Sequence, residues 1–254
     1  MLILVINGKK YKYLSKQSEI TLKIGSDLEE LRKEYPCDCN PEFQKWVLTI
    51  LCGCSYDEAD LVDEVLLAKL IGNHPYFSVD IKVSHHNYIK INRKLYKYIC
   101  FEPLTVETFG NLDFLAINND LDELYLSLYQ PIKWTNLKYW FRYLITKNYK
   151  CITDINYFRY KLALYWYFQY KKDLLIEYGI SVENDGIPAE EKPDEYLLNT
   201  LEKYGIYHII MELCQNDYGQ QEAWLKRDIK DLFKYLRYMN KKIQIKNQQI
   251  NNQQ

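Results

Sequence analysis

Four cysteines in two closely spaced pairs are the residues whose type and spacing come nearest to a metal site. One residue separates Cys37 from Cys39, and one separates Cys52 from Cys54. Four thiolates can bind zinc tetrahedrally, but structural zinc sites usually place two residues between paired cysteines so that both sulfurs face the ion. Cys52 also falls near the end of an apolar helical pattern, where a small buried side chain is expected. The spacing favours ordinary reduced cysteines, with a zinc-stabilised module as the alternative, and predicts no metal and no cofactor.

The histidines give little sign of catalysis. His85 and His86 adjoin at an expected turn without a third ligand nearby, and His208 falls in an apolar helical pattern that predicts a packed or interface residue. Motifs for a nucleophile elbow, a phosphate loop, a zinc protease or a dinucleotide site do not occur. Only nine glycines are present, which also argues against phosphate-cradling loops. The sequence therefore predicts a protein that is not an enzyme and has no catalytic residues.

The strongest signal outside a core is a basic, aromatic stretch over residues 133–172. It holds fourteen aromatic residues and nine basic residues against one acidic residue. Three interpretations stay open: a helical core with a solvated basic face, a protein interface rich in the residue types that dominate binding hot spots, or a surface that stacks on nucleic-acid bases. The expected interface residues are Trp134, Trp140, Arg142, Arg159 and Trp166.

A segment of opposite charge precedes this stretch. Residues 26–70 contain eleven acidic and four basic residues. The two segments are complementary in sign, which predicts contact either within one chain or between neighbouring subunits.

The elements that would position these residues begin with an internal repeat. The pattern I-N-x-K-x-Y-K-Y occurs at residues 6–13 and again at 91–98, about 85 residues later, and each copy is followed by a threonine before a helical pattern, Thr21 and Thr105. Asn7-Gly8 is typical of a type I′ hairpin turn. Arg93 replaces the glycine in the second copy, which predicts a different turn there. Each copy therefore predicts a β-hairpin followed by a helix with a threonine N-cap.

The remainder of the chain carries mostly helical patterns. Helices are predicted over residues 42–51, 57–71, 119–129, 135–146, 154–178, 195–214 and 220–240, with a flexible loop at 183–193. The predicted class is α+β and predominantly helical, with the duplicated hairpin-plus-helix units in the N-terminal half and a helical C-terminal half. The predicted regions are a first unit with a helical pair at 1–76, a second unit at 77–132, an aromatic-rich helical region at 133–240, and a polar flexible tail at 241–254 that only a partner would order.

Composition limits the class of protein further. The chain has 254 residues, of which 48% are hydrophobic and 26% charged, as in an ordinary globular protein. The net charge of −1 gives no overall attraction to nucleic acid or membranes. Apolar runs fall well short of the roughly 20 residues of a membrane-spanning helix, and the first residues lack the basic region of a secretory signal. Seven cysteines without an export signal predict a reduced, cytosolic protein.

Three patterns resemble one family. They are the I-N-G-K-x-Y hairpin at residues 6–11 with Thr21, the helix end L-Y-L-S-L-Y-Q-P-I at 124–132, and the closing helical pair at 203–217 and 229–239. Together they are similar to bacteriophage tail assembly chaperone-like and baseplate-hub-related proteins, with Gln130 standing where that family usually has arginine.

The resemblance implies a non-enzymatic role in virion morphogenesis. The chain would bind other phage structural proteins of the tail, neck or baseplate, often in multiple copies, in the virion or the host cytoplasm. Gln130 and the duplicated hairpin unit leave open whether it is an assembly chaperone or a component that stays in the particle. The alternative function is that of a nucleic-acid-binding accessory protein acting through residues 133–172.

Overall fold

The computed structural model describes residues 2–77, 87–100, 102–132, 137–178, 195–215 and 217–251. It is about 64% helical, with eleven α-helices and two small sheets among these residues, which confirms the α+β, predominantly helical class. The chain forms two compact units. Unit 1 comprises Met1–Tyr96 with Ile132–Leu162, and unit 2 comprises Lys97–Pro131 with Ala163–Gln254.

The strands are short. They are β1 Leu2–Ile6, β2 Lys9–Tyr13, β3 Tyr88–Ile91, β4 Lys94–Tyr98, β5 Tyr129–Pro131 and β6 Asn148–Tyr149. β1 and β2 form an antiparallel two-stranded sheet, and the other four strands have the order β5-β4-β3-β6, with β6 parallel to β3.

The helices fill most of the described chain. They are α1 Leu22–Glu34, α2 Pro41–Cys52, α3 Tyr56–Asp60, α4 Glu64–Gly72, α5 Val106–Ile117, α6 Leu121–Ser127, α7 Leu137–Ile145, α8 Tyr157–Glu177, α9 Glu195–Leu213, α10 Tyr218–Leu225 and α11 Ile229–Asn251. The loop predicted at 183–193 and the histidine turn at 85–86 lie outside the described residues.

Both hairpins of the repeat make the same turn. Asn7 and Gly8 have φ angles of 48° and 76°, and Asn92 and Arg93 have φ angles of 48° and 63°. Positive φ at both central residues is the signature of a type I′ turn, whose twist matches that of the strands. The prediction of a different second turn is therefore wrong. Arg93 adopts the left-handed conformation, and its amide N–H donates to Asn148 Oδ1 at 2.8 Å.

The threonine of the first copy does more than cap a helix. Thr21 Oγ1 accepts a hydrogen bond at the start of α1, which confirms the predicted N-cap. Thr21 also forms an antiparallel bridge with Asn156, the residue before α8. The amide of Leu22 donates to the carbonyl of Ile155 at 2.6 Å, and a second backbone bond of 3.0 Å lies on the other side of the bridge. This bridge fixes the starts of α1 and α8 side by side.

The second copy repeats this arrangement. Thr105 caps α5 as predicted and bridges to Asp228, the residue before α11. The amide of Val106 donates to the carbonyl of Arg227 at 2.8 Å, and a reciprocal bond measures 2.9 Å. The duplication therefore includes a distant helix start in addition to the hairpin and the capped helix.

Each unit has its own apolar core. In unit 1, Phe43, Leu48 and Leu51 on α2 are almost completely buried, and a Cβ on Gly25 of α1 would lie 2.1 Å from a ring carbon of Tyr157. Since no side chain larger than hydrogen fits there, Gly25 permits the close approach of α1 to the beginning of α8.

In unit 2, α5 packs against α9. Phe109 and Phe233 are buried with edge-to-face rings 6.0 Å apart. Aromatic pairs of this geometry stabilise a core beyond the area they bury.

Two predicted helices are each divided in the structure. The pattern at 57–71 splits into α3 and α4 because the side chain of Asp63 accepts hydrogen bonds from the amides of Val65 and Leu66 and so starts a new helix. The pattern at 220–240 splits into α10 and α11 at Asp228. α11 then continues to Asn251, into the segment where the sequence predicted a flexible tail.

Candidate interaction surface

Three aromatic side chains of α8, close to one another in sequence, are exposed in unit 2. Tyr165, Trp166 and Phe168 are 57%, 40% and 42% exposed, whereas Tyr167 between them is fully buried. The rings of Tyr165 and Trp166 contact each other, with centroids 5.7 Å apart. We call these three residues the aromatic face. Large aromatic side chains dominate interface energetics, so three exposed rings on one helix are a candidate binding surface.

The opposite side of α8 is anchored in unit 2. Leu164, Tyr167 and Leu174 are buried. Tyr98 is the last residue of β4, and its hydroxyl donates a hydrogen bond to the carbonyl of Ala163 at 2.8 Å. This bond ties that part of α8 to the end of the strand. These contacts fix the orientation of the aromatic face before any partner binds.

A buried ion pair provides a second anchor for α8. Lys171 Nζ bonds to Asp113 Oδ1 on α5; the Asp113 side chain is fully buried and that of Lys171 is 17% exposed. Burial raises the pKa of Asp113, and the ammonium of Lys171 opposes this shift. Asp113 Oδ2 and the nearby Tyr167 hydroxyl are buried without hydrogen-bond partners. Because the carboxylate is poorly solvated, its charged form relies on stabilisation by Lys171 and by the backbone of Ile206.

The interruption of α9 lies beside this carboxylate. Gly205 has a φ of 75° inside α9, where it separates two helical stretches. A Cβ at Gly205 would lie 3.2 Å from Asp113 Oδ2. The glycine therefore serves two needs, a left-handed backbone and close approach to a buried acid.

The predicted interface residues have different environments. Trp166 belongs to the aromatic face. Arg142 is exposed on α7 in unit 1, with its guanidinium 5.5 Å from the ring centroid of Tyr88. Trp140 also lies on α7, but its side chain and the whole of Trp134 lie outside the described residues.

The side chain of Arg159 contacts other residues of unit 1, the unit to which it belongs. It is half-buried, its Nη1 donates to the hydroxyl of Tyr149 at 3.3 Å, and its Nε is buried without a partner. Tyr165 and Phe168 are not among the residues that the sequence predicts for an interface. Their membership of the aromatic stretch was visible, but which side of α8 faces solvent was not.

The acidic and basic segments meet within unit 1. Glu29 on α1 forms an ion pair of 2.9 Å with Lys161 and accepts a hydrogen bond from the Tyr157 hydroxyl. Contact within one chain, one of the two arrangements left open by the charge pattern, therefore occurs at this position. Lys161 and Lys171 thus both have carboxylate partners inside the molecule.

The structure does not bring the two cysteine pairs together into one cluster. Cys37 and Cys39 are joined in a disulfide, contrary to the prediction of reduced cysteines throughout. Cys54 is buried, and burial raises the pKa of Cys52 to about 12. Within the described ranges, which include all four residues, no group of three or more histidine, cysteine or acidic side chains could hold a metal ion.

Two histidines have defined structural contacts. His74 is buried in unit 1, where its Nε2 lies 2.6 Å from the carbonyl oxygen of Leu14 and its Nδ1 accepts from the amide of Tyr76 at 3.1 Å. These contacts require a neutral ring, and burial lowers the pKa of His74. His208 is half-buried on α9, where its Nε2 lies 3.3 Å from Glu212 and its ring lies 4.9 Å from that of Tyr204. The prediction of a packed or interface residue therefore stays a prediction.

Comparisons with protein-family models, with curated proteins and with solved structures each find no match for this chain. No helix in the described parts of the chain combines the length and the apolar character needed to cross a membrane.

Proposed function

We propose that this chain is a non-enzymatic bacteriophage morphogenesis protein that binds other structural proteins of the particle through the aromatic face of α8. The observation that carries the proposal is the exposure of Tyr165, Trp166 and Phe168 on a helix whose other side is buried. The phage setting comes from the sequence resemblance, and the binding mode comes from this surface.

The size of the aromatic face suits the centre of a protein interface. An aromatic side chain can bury about 150–250 Å², so the exposed fractions together offer roughly 300 Å² of mostly apolar surface. At about 25 cal/mol per Å², covering this surface contributes roughly 7 kcal/mol before the costs of association. A stable interface buries about 800 Å² on each partner. The aromatic face would therefore form the central hot spot, with polar residues around it.

The rigidity of α8 also favours binding. The ion pair between Lys171 and Asp113 and the hydrogen bond from Tyr98 hold the helix in place. Little conformational entropy is then lost when a partner covers the rings. A loop carrying the same side chains would lose more.

A protein partner agrees better with the charges than nucleic acid does. Lys161 and Lys171 are occupied by Glu29 and Asp113, and the chain has a net charge of −1. Nucleic-acid binding draws most of its affinity from basic side chains that neutralise phosphates. The basic stretch thus offers phosphates fewer charges than its composition suggests.

The proposal is tested by measuring the binding of purified chain to itself and to tail, neck and baseplate proteins encoded by the same genome, using sedimentation velocity. The variant Tyr165→Ser/Phe168→Ser should weaken the interaction at least tenfold while the fold is retained. The matched control is Tyr218→Ser/Tyr238→Ser, which removes two other exposed tyrosines, 82% and 61% exposed, and should bind normally.

Two results would contradict the proposal. The first is wild-type protein that neither self-associates nor binds any of these proteins. The second is nucleic-acid affinity that falls steeply with salt and is lost in the aromatic-face variant, which would establish the alternative function.

A further inference from the structure

Cys37 and Cys39 occupy a tight loop between α1 and α2. Their sulfurs are bonded to each other across one intervening residue, Asp38, and both residues are exposed. The other pair of the same spacing, Cys52 and Cys54, is not bonded, and Cys54 is buried. The chain therefore contains two C-x-C pairs, of which one is oxidised and accessible.

Contacts that do not involve sulfur hold the loop closed. The amide of Asn40 donates to the carbonyl of Cys37 at 3.1 Å. The side chain of Gln44 donates to the carbonyl of Asp38 at 2.9 Å, and the carboxylate of Asp38 pairs with Arg32 at 2.7 Å. Because these contacts survive reduction, the two thiols would stay close together and ready to bond again.

The bond itself constrains little of the chain. In the chain-entropy description, the stabilisation by a disulfide grows with the logarithm of the number of residues in the loop that it closes. The loop between Cys37 and Cys39 is among the shortest possible. The core residues of α2 are buried independently of the loop. Reduction should therefore leave the fold of unit 1 intact.

From this geometry we propose that Cys37 and Cys39 form a reversible redox site that exchanges electrons with dithiols of the surroundings. A thiolate of the dithiol attacks one of the two sulfurs, the protein disulfide breaks, and a mixed disulfide forms while the other cysteine leaves as a thiolate. The second thiol of the dithiol, as a thiolate, then attacks the other dithiol sulfur, which is the one bonded to the protein. The second cysteine leaves as a thiolate. The protein gains two electrons and two protons, and the dithiol becomes a cyclic disulfide.

The site is tested with the full chain equilibrated in mixtures of reduced and oxidised dithiothreitol, quenched in acid and alkylated after denaturation. Trypsin separates the two pairs, since cleavage after Lys33, Lys45 and Lys69 leaves Cys37 and Cys39 in one peptide and Cys52 and Cys54 in another. Mass spectrometry should show peptide 34–45 passing from disulfide to doubly alkylated as the reduced fraction rises. Peptide 46–69 should be alkylated throughout, and the far-ultraviolet circular dichroism should stay constant.

The variant Asp38→Ala tests the proposed preorganisation. It removes the exposed ion pair with Arg32 and should shift the equilibrium about two- to fivefold toward the dithiol, as expected for a surface pair. Failure to form the Cys37–Cys39 disulfide in oxidised dithiothreitol would overturn the proposal. So would loss of helical signal on reduction, or oxidation of Cys52 and Cys54 at the same dithiothreitol ratios. None of these results depends on whether the aromatic face binds a partner.

Discussion

Replacing Lys171 by methionine should lower the free energy of unfolding of unit 2 by about 3 kcal/mol, the lower end of the range for breaking a buried ion pair. The substitution keeps most of the side-chain volume but removes the charge that balances Asp113, which has no exposed surface. The lower end applies because the Lys171 side chain is 17% exposed, so water can reach part of the site. Urea unfolding at pH 7, followed by circular dichroism and tryptophan fluorescence, measures this loss.

The loss should shrink in acid. Burial raises the pKa of Asp113 above its ordinary value of 3.8 even beside Lys171, and removal of the ammonium should raise it further. Between that value and the raised pKa, the native state binds more protons than the unfolded state, so the stability of the variant rises as the pH falls. The double variant Asp113→Leu/Lys171→Met, which leaves no buried charge, should recover most of the stability at pH 7.

A matched substitution provides the control. Lys226 forms a 2.6 Å ion pair with Glu222, and their side chains are 70% and 69% exposed. Lys226→Met should therefore cost far less stability than Lys171→Met, because water already solvates both charges of an exposed pair. If Lys171→Met costs no more than Lys226→Met, or if its cost is the same at pH 5 and pH 7, the assignment of a buried, charge-balanced pair is refuted.

Three further predictions concern the backbone and the core. Gly25→Ala should destabilise the chain by about 1–3 kcal/mol through overpacking against Tyr157, whereas Gly72→Ala, which meets no atom within 4 Å, should be neutral or slightly stabilising in thermal unfolding. Arg93→Gly should raise the melting temperature, because glycine adopts the positive φ of the turn without strain, and a decrease would show that the arginine side chain outweighs this strain. Wild-type stability should fall as the pH drops below 6.5, because His74 binds a proton in the unfolded state but stays neutral when it is buried in the native state. His74→Gln should lose this pH dependence. Urea midpoints between pH 5 and 8 measure both.

Local signals in the sequence account for much of the fold. The first hairpin turn at Asn7-Gly8 and the N-caps at Thr21 and Thr105 are predicted from the sequence and confirmed by the structure. Each of these features depends on a few neighbouring residues with restricted backbone preferences. The second turn was predicted wrongly because Arg93 rarely adopts positive φ, and here a hydrogen bond from its own amide holds it there.

Features set by distant residues were not predictable in the same way. The bridge between Thr21 and Asn156 joins positions far apart in the chain, and a single sequence carries no periodicity that reports such a pair. The side of α8 that faces solvent could not be predicted for the same reason. Aromatic residues occur all around this helix, so only its packing in unit 2 decides that Tyr165 and Phe168 face outward while Tyr167 is buried.

We propose that partners bind the aromatic face of α8, which predicts shielding of its three rings in the complex. Hydroxyl-radical footprinting with mass spectrometry measures it directly, because the radicals oxidise exposed aromatic rings and a bound partner shields them. In a complex with the proposed phage proteins, oxidation of Tyr165, Trp166 and Phe168 should slow severalfold relative to the free chain, while that of Tyr218 should be unchanged. Equal oxidation of the three rings in the free and bound chain would contradict binding through the aromatic face.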